Sequence, residues 1–268
     1  MTIRNAQRDQ MPFRFSVEPS DVESFARALD ISSAAVPVFF LVRALPRALT
    51  QVLERSPVRP RLRDVRHAEQ DIRVHRRPRV GEETVVTASL EDEGDYGFQR
   101  AAVVRTSVRG PAGDGIADLL TTLTLGPATG RGRLARQPAP VGTGPVVAAW
   151  STVVPGDLPS RYAEASGDHN PIHLSETAAR EAALPGVVLH GMATLHLAVT
   201  GLADRVLGGD DARLDLIHAR FARPVRPDDI VDFAVRGIAP EGPYTLDALV
   251  AGRPVLKDTW FTAGGAAT

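Results

Sequence analysis

Asp168, His169, Asn170 and His173 fall within six residues of one another, beside Gly167 and Pro171. The glycine and the proline punctuate the backbone there, so these polar groups sit on a turn or loop and not inside a regular element. A carboxylate and an imidazole on one turn can hold a single water between them and relay its proton, which makes Asp168 and His173 candidates for general acid–base work. Further along, Gly191 stands at the start of a long small-residue run. At the start of a helix an unpaired backbone N–H and the positive end of the dipole can face an oxyanion, and a residue without a side chain lets a carbonyl come close. An Asp-x-Asn-Pro loop also forms as an Asx turn that merely closes a helix, and the residues alone leave both readings open. Asp168, His169 and His173 are metal-ligand types as well. No His-x₃-His on one helix face and no third clear ligand accompany them, so no metal is expected.

The elements that must hold these groups can be read on either side. Leu158 to Ser166 reads as a short helix, with Ser160 as its cap and Tyr162, Ala163 and Ala165 on its buried side. Ser175 to Ala183 is a second helical run. Gly186 and the apolar Val187-Val188-Leu189 then lead into His190-Gly191, and a long helix follows from Met192 to about Leu207.

Tyr162-Ala-Glu-Ala-Ser-Gly-Asp-His-Asn-Pro-Ile-His173, followed by Pro185-Gly-Val-Val-Leu-His-Gly-Met192, closely resembles the (R)-specific enoyl-CoA hydratases of the MaoC-like dehydratase family. The likeness runs from about Trp150 to Phe261 and rests on many matched positions in order. It implies the hotdog fold, a curved antiparallel sheet wrapped around one long helix. It implies Asp168 and His173 as the proton-transfer pair, Asn170 as an amide that orients water or the loop, and Gly191 as the oxyanion residue. The implied activity is that of a hydro-lyase interconverting trans-2-enoyl and (3R)-hydroxyacyl thioesters, without a cofactor. Water addition of this kind needs a base for the water, an acid for the α-carbon and a donor at the thioester oxygen.

Before this region the chain reads as an earlier copy of the same order. Phe13 to Val17 alternates like a strand, and Ser20-Asp-Val-Glu23 has the spacing of a capping box ahead of a helical face with Val22, Phe25, Ala26 and Leu29. Val36 to Leu53 reads as one helix of several turns, kinked or shortened at Pro46. Strand-like runs follow at Val65–His75, Glu83–Leu90, Phe98–Val108 and Ile116–Leu125, with turns at 78–81, 94–97 and 110–115. The later half has strands at Val146–Val154, Arg213–Ala222, Ile230–Gly237, Tyr244–Val250 and Val255–Phe261. Arg77-Pro-Arg-Val-Gly-Glu-Glu-Thr-Val85 echoes Arg223-Pro-Val-Arg-Pro-Asp-Asp-Ile-Val231, and Phe25-Ala-Arg-Ala-Leu-Asp30 stands where Tyr162-Ala-Glu-Ala-Ser-Gly167 stands. The first copy lacks the Asn-Pro-Ile-His and His-Gly-Met segments. The expectation is an α+β double hotdog, two antiparallel curved sheets each wrapped around a central helix. It divides into a degenerate N-terminal unit at 1–125, a linker at 126–145 and a catalytic unit at 146–268. In the double-hotdog members of the family the first unit helps form the acyl pocket.

Composition narrows the partners. The formal net charge of −1 over 268 residues gives no global pull toward nucleic acid or an anionic membrane. There is no cysteine, which excludes disulfides, thiol catalysis and thiolate metal sites. No stretch approaches the ~20 apolar residues that span a bilayer, and the N-terminus lacks the apolar core of a signal peptide, so a cytoplasmic protein is expected. The resemblance implies a substrate carried by coenzyme A or an acyl carrier protein, and Arg220 and Arg223, with Arg226, flank a strand end where they could meet phosphates. Two units in one chain suit a monomer with an internal pseudo-dimer or a homodimer. A dehydratase on carrier-protein-bound fatty acid or polyketide intermediates, a non-catalytic acyl-binding partner subunit and a thioesterase are the other readings.

Overall fold

Ten antiparallel strands make one continuous sheet in the order β1-β3-β4-β5-β2-β7-β10-β9-β8-β6. The structure is a computed structural model and describes residues 12–31, 36–55, 60, 64–127, 144–237 and 242–264. The first five strands are β1 (Phe13–Ser16), β2 (Arg66–Val74), β3 (Glu83–Tyr96), β4 (Gln99–Arg109) and β5 (Gly115–Pro127). The last five are β6 (Val146–Val153), β7 (Leu214–Phe221), β8 (Ile230–Arg236), β9 (Tyr244–Val250) and β10 (Arg253–Ala263). Within each half the strands lie in the same order, first-third-fourth-fifth-second. β2 and β7 pair at the centre, with Asp71 opposite His218 and Ile72 opposite Ile217. The two expected sheets are therefore fused edge to edge, with β1 and β6 as the outer strands among the described residues.

The echo between the halves is structural as well as sequential. Arg77–Val85 and Arg223–Val231 both carry the chain from the second strand of a half to the third. Val17 exchanges backbone hydrogen bonds with Gly81 and Glu82 in the first half, and Val154 does the same with Asp228 and Asp229 in the second. Gly81 (φ +79°) and Asp228 (φ +67°) occupy the same left-handed position, as do Asp30 (φ +54°) and Gly167 (φ +77°). Such turns favour glycine or aspartate because a branched side chain is strained there.

A core cluster drawn from both halves joins the helices to this sheet. In the second half α5 (Gly191–Val206) is apolar nearly all round and buried along most of its length. Gly201 lets it press on β6, since a Cβ there would come within 2.2 Å of the Trp150 ring. In the first half the Val36–Leu53 run is not one kinked helix. Val38–Ala44 forms a 3₁₀ turn, and α2 (Leu45–Leu53) starts after it with Pro46 in its first turn, where the missing N–H has no acceptor to lose. α2 packs against β3 and β4.

Other local expectations are revised. α1 (Pro19–Ala28) begins one residue before Ser20, and neither Ser20 nor Ser160 caps its helix. Ser160 lies inside α3 (Leu158–Ser166) and donates to the Asp157 carbonyl. β3 runs through Gly94 to Tyr96, because its long ladder with β4 closes only at the Gly97-Phe98 turn. The segment proposed as a linker falls mostly on 128–143, outside the described residues. Among the described residues no helix is long and apolar enough to cross a membrane.

Candidate active site

α3 ends at Gly167, whose N–H bonds back to the Ala163 carbonyl and whose positive φ turns the chain out of the helix. The following loop is tied to itself. Ser166 Oγ donates to the Tyr162 carbonyl and accepts from the Asp168 amide. Asp168 Oδ1 accepts from the Asn170 amide, and Asn170 Oδ1 accepts from the Ile172 amide, starting the 3₁₀ turn Pro171–His173. Asn170 thus spends its carbonyl on the loop. Ser175 caps α4 (Glu176–Glu181) by accepting from the Ala178 amide, and Glu176 accepts from the Val187 amide, which fixes the return segment to α5.

That return brings a second imidazole to the first. The His173 and His190 rings stack at 3.7 Å between centroids, with 25° between their planes. Ligating atoms of Asp168, His173 and His190 lie within 4.8 Å of one another. His173 Nδ1 is 2.8 Å from the Val188 carbonyl. A carbonyl only accepts, so Nδ1 carries the proton and Nε2 of the neutral ring keeps its lone pair. By the same logic His190 donates Nε2–H to the Asp168 carbonyl at 2.9 Å. Burial lowers the pKa of His173 against the opposing pull of the Asp168 carboxylate, and burial with the neighbouring His173 lowers His190. Both rings are neutral near pH 7. The Tyr162 hydroxyl is buried 4.8 Å ring to ring from His190, and burial and the Asp168 charge hold it protonated.

These groups open on a cavity of about 550 Å³ lined by both halves. The second half supplies Asp168, Asn170, His173, His190, Gly191 and Phe221, and the first supplies Val42, Leu45, Leu49, Leu53, His67 and Tyr96, among others. Gly191 is the first residue of α5, where its amide has no intrahelical acceptor. A Cβ at Gly191 would lie 2.9–3.1 Å from three atoms of the Phe221 ring. The glycine is therefore required by packing too.

The remaining expected residues scatter. Arg223 lines the cavity and donates to the Pro254 carbonyl. Arg220 is absent from the lining and pairs with Asp258 at 2.8 Å. His169 is exposed beside Glu164. His218 binds Asp71 of β2 at 2.7 Å across the junction of the halves. His67, Phe221 and Tyr96 escape sequence reading altogether, because they reach the cavity from strands far along the chain.

Residues 136–237 match the family model described as MaoC like domain. The chain is 33% identical over 182 residues to 3-hydroxyacyl-thioester dehydratase Y of Mycobacterium tuberculosis (strain ATCC 25618 / H37Rv), a match covering 63% of this chain and 60% of that relative's length. A solved MaoC-like dehydratase from Phytophthora capsici superimposes with a TM-score of 0.80 at 18% identity, covering 96% of each chain. A conserved hypothetical protein from Mycobacterium tuberculosis, described as having a double hotdog fold, superimposes with a TM-score of 0.61 at 13% identity, covering 95% of each chain. The fold is a double hotdog, and residues 136–237 carry a MaoC-like domain.

Proposed function

We propose that this MaoC-like chain is a hydro-lyase that interconverts trans-2-enoyl and (3R)-hydroxyacyl thioesters. The observation that carries the reading is the meeting of the Asp168 carboxylate with a neutral His173, its Nε2 lone pair available, on a cavity that also contains the N-terminus of α5. In the hydration direction Asp168 and His173 hold one water over C3 of the enoyl group. Its oxygen bonds to C3 while one proton passes to the pair, and the pair returns a proton to C2, so that one water is added in all. The negative charge that gathers on the thioester oxygen meanwhile faces the Gly191 amide and the positive end of the α5 dipole. His190 holds the loop through its bond to the Asp168 carbonyl.

The first half serves as the acyl wall through Val42, Leu45 and Leu49. In this reading residues 1–125 form a degenerate hotdog, 126–145 a linker and 146–268 the catalytic hotdog, so that one chain is a pseudo-dimer. The substrate is carried by coenzyme A or an acyl carrier protein, and Arg223, which lines the cavity together with Arg66, is able to meet an anionic carrier arm. Incubation with crotonyl-CoA should remove the conjugated enoyl absorbance without releasing free thiol. Thiol release would mark a thioesterase, and no change with either crotonyl-CoA or a crotonyl carrier protein would overturn the hydro-lyase reading.

A further inference from the structure

β6 is an outer strand of the sheet, and little in its sequence shields its open side. Between Gly144 and Gly156 there is no charged residue, and no proline falls inside the strand. Sheet edges are usually blunted by charge, proline, a bulge or shortness, because their unpaired N–H and C=O groups are a template for another strand. The other outer strand, β1, is blunted in this way. It has only four residues, and its Arg14 pairs with Glu83. The bulge in β6 lies at its start, between Val146 and Ala148, and from Ala148 to Val153 its ladder with β8 is regular. Val146, Val147, Val153 and Ile230, which faces Val153 from β8, are four of the seven large apolar side chains left exposed among the described residues. Exposed apolar surface therefore gathers at this edge.

The backbone directions follow from the end of the strand. Val154 donates its N–H to the Asp229 carbonyl and accepts at its own carbonyl from the Asp228 N–H, so both of its groups face β8. Directions alternate along an antiparallel ladder, so Thr152 and Trp150 also bond toward β8. Ala149, Ser151 and Val153 turn their N–H and C=O groups to the open edge, and their side chains are exposed. We propose that β6 pairs antiparallel with β6 of a second copy of this chain, about a two-fold axis at Ser151. Ser151 then lies opposite its own counterpart, and Ala149 of each copy lies opposite Val153 of the other. Each outward residue gains both a donor and an acceptor, and the small Ala149 makes room for the larger Val153. The pairing is also compatible with itself in charge. On the exposed face the charge beside the axis is Asp232, which accepts from Ser151 Oγ at 2.6 Å. Across the axis the two Asp232 side chains stand three strand spacings apart, about 14 Å, beyond the ~8 Å screening length at physiological salt. Pairing β6 with β1 of another copy would be head to tail, and the short, charged β1 matches β6 poorly.

Sedimentation of the full chain from about 1 to about 100 μM should show a species of twice the mass of one chain that dissociates on dilution. Over the same range, hydrogen exchange at the Ala149, Ser151 and Val153 amides should slow as the dimer fills. Ser151→Pro removes the outward N–H at the axis and leaves the bonds to β8 in place, and Val153→Lys puts a charge on the edge. Each should raise the dimer Kd about tenfold or more while circular dichroism shows a folded chain. Adding Ala149→Glu to Val153→Lys sets opposite charges across the axis and should recover most of that loss. A chain that stays monomeric at about 100 μM would overturn the proposal, as would β6 amides whose exchange does not depend on concentration. So would a dimer that Ser151→Pro and Val153→Lys both leave intact, or a double variant no tighter than Val153→Lys alone. Should one variant fail to fold, the other and the parent chain's amide exchange decide it.

Discussion

Replacing His196 by leucine should make the protein more resistant to acid than the parent chain. His196 lies on α5 in the shared core, 4% exposed, with the Phe39 ring 5.5 Å and the Phe25 ring 6.4 Å from its own. Thr200 Oγ1 meets its Nε2 at 3.2 Å, and its Nδ1 is buried without a partner among the described residues. Burial lowers its pKa from 6.5 to about 4. The folded state then binds fewer protons than the unfolded state between those values. Its contribution is complete above about pH 6.5 and is lost as pH falls toward 4. A shift of this size costs about 2 kcal/mol at pH 5 and about 3 kcal/mol at pH 4, relative to pH 8. Total stabilities are only about 5–15 kcal/mol, so one such group matters. His67 shifts equally far, and His173 and His190 shift the same way, so the parent chain should lose more than this single share. Urea unfolding of parent and His196→Leu at pH 8, 6 and 5 measures the difference. The variant's loss between pH 8 and pH 5 should be smaller by about 2 kcal/mol. Equal losses in the two proteins would refute the reasoning. The same burial keeps the His173 ring neutral for its proposed work, so acid lability accompanies the chemistry.

Val42 is buried and lines the cavity from the first half. Val42→Ala removes about two methylene equivalents, so kcat/KM for enoyl chains long enough to touch it should fall by up to about 15-fold, at about 0.8 kcal/mol each, with crotonyl-CoA affected within a few-fold. An equal fall at all chain lengths would remove Val42 from the acyl wall. Gly191→Ala should lose most turnover, and adding Phe221→Leu should restore the melting temperature without restoring turnover. If the double variant regains full activity, Gly191 serves Phe221 alone. Deletion of residues 1–130 should abolish activity, because β7 loses β2 and the cavity loses one wall. A soluble, monomeric and fully active second half would contradict this architecture.

Much of the fold was legible because its signals are local. Alternation located most of the strands to within a residue or two, and the paired turns at Arg77–Val85 and Arg223–Val231 exposed the duplication that the strand order repeats. Asp168 and His173 lie in one short loop, so their proximity needed no tertiary information. What sequence could not supply is contact between distant strands. His218 finds Asp71 147 residues away, and His67 reaches the cavity only through a bulge set by the pairing of β2 with β5. The same limit applies to Arg220, which Asp258 on the paired but sequence-distant strand β10 holds away from the lining. The start of α3 at Leu158 was legible, but Ser20 and Ser160 cap neither α1 nor α3, because each helix begins ahead of its serine with proline in the first turn.

The most direct measurement is the hydration rate of crotonyl-CoA by Asp168→Asn and His173→Ala beside the parent chain, with circular dichroism to confirm that each is folded. The account predicts that each variant loses about 10²-fold or more in kcat, as removal of general acid–base help implies. Turnover near the parent value in either folded variant would contradict it.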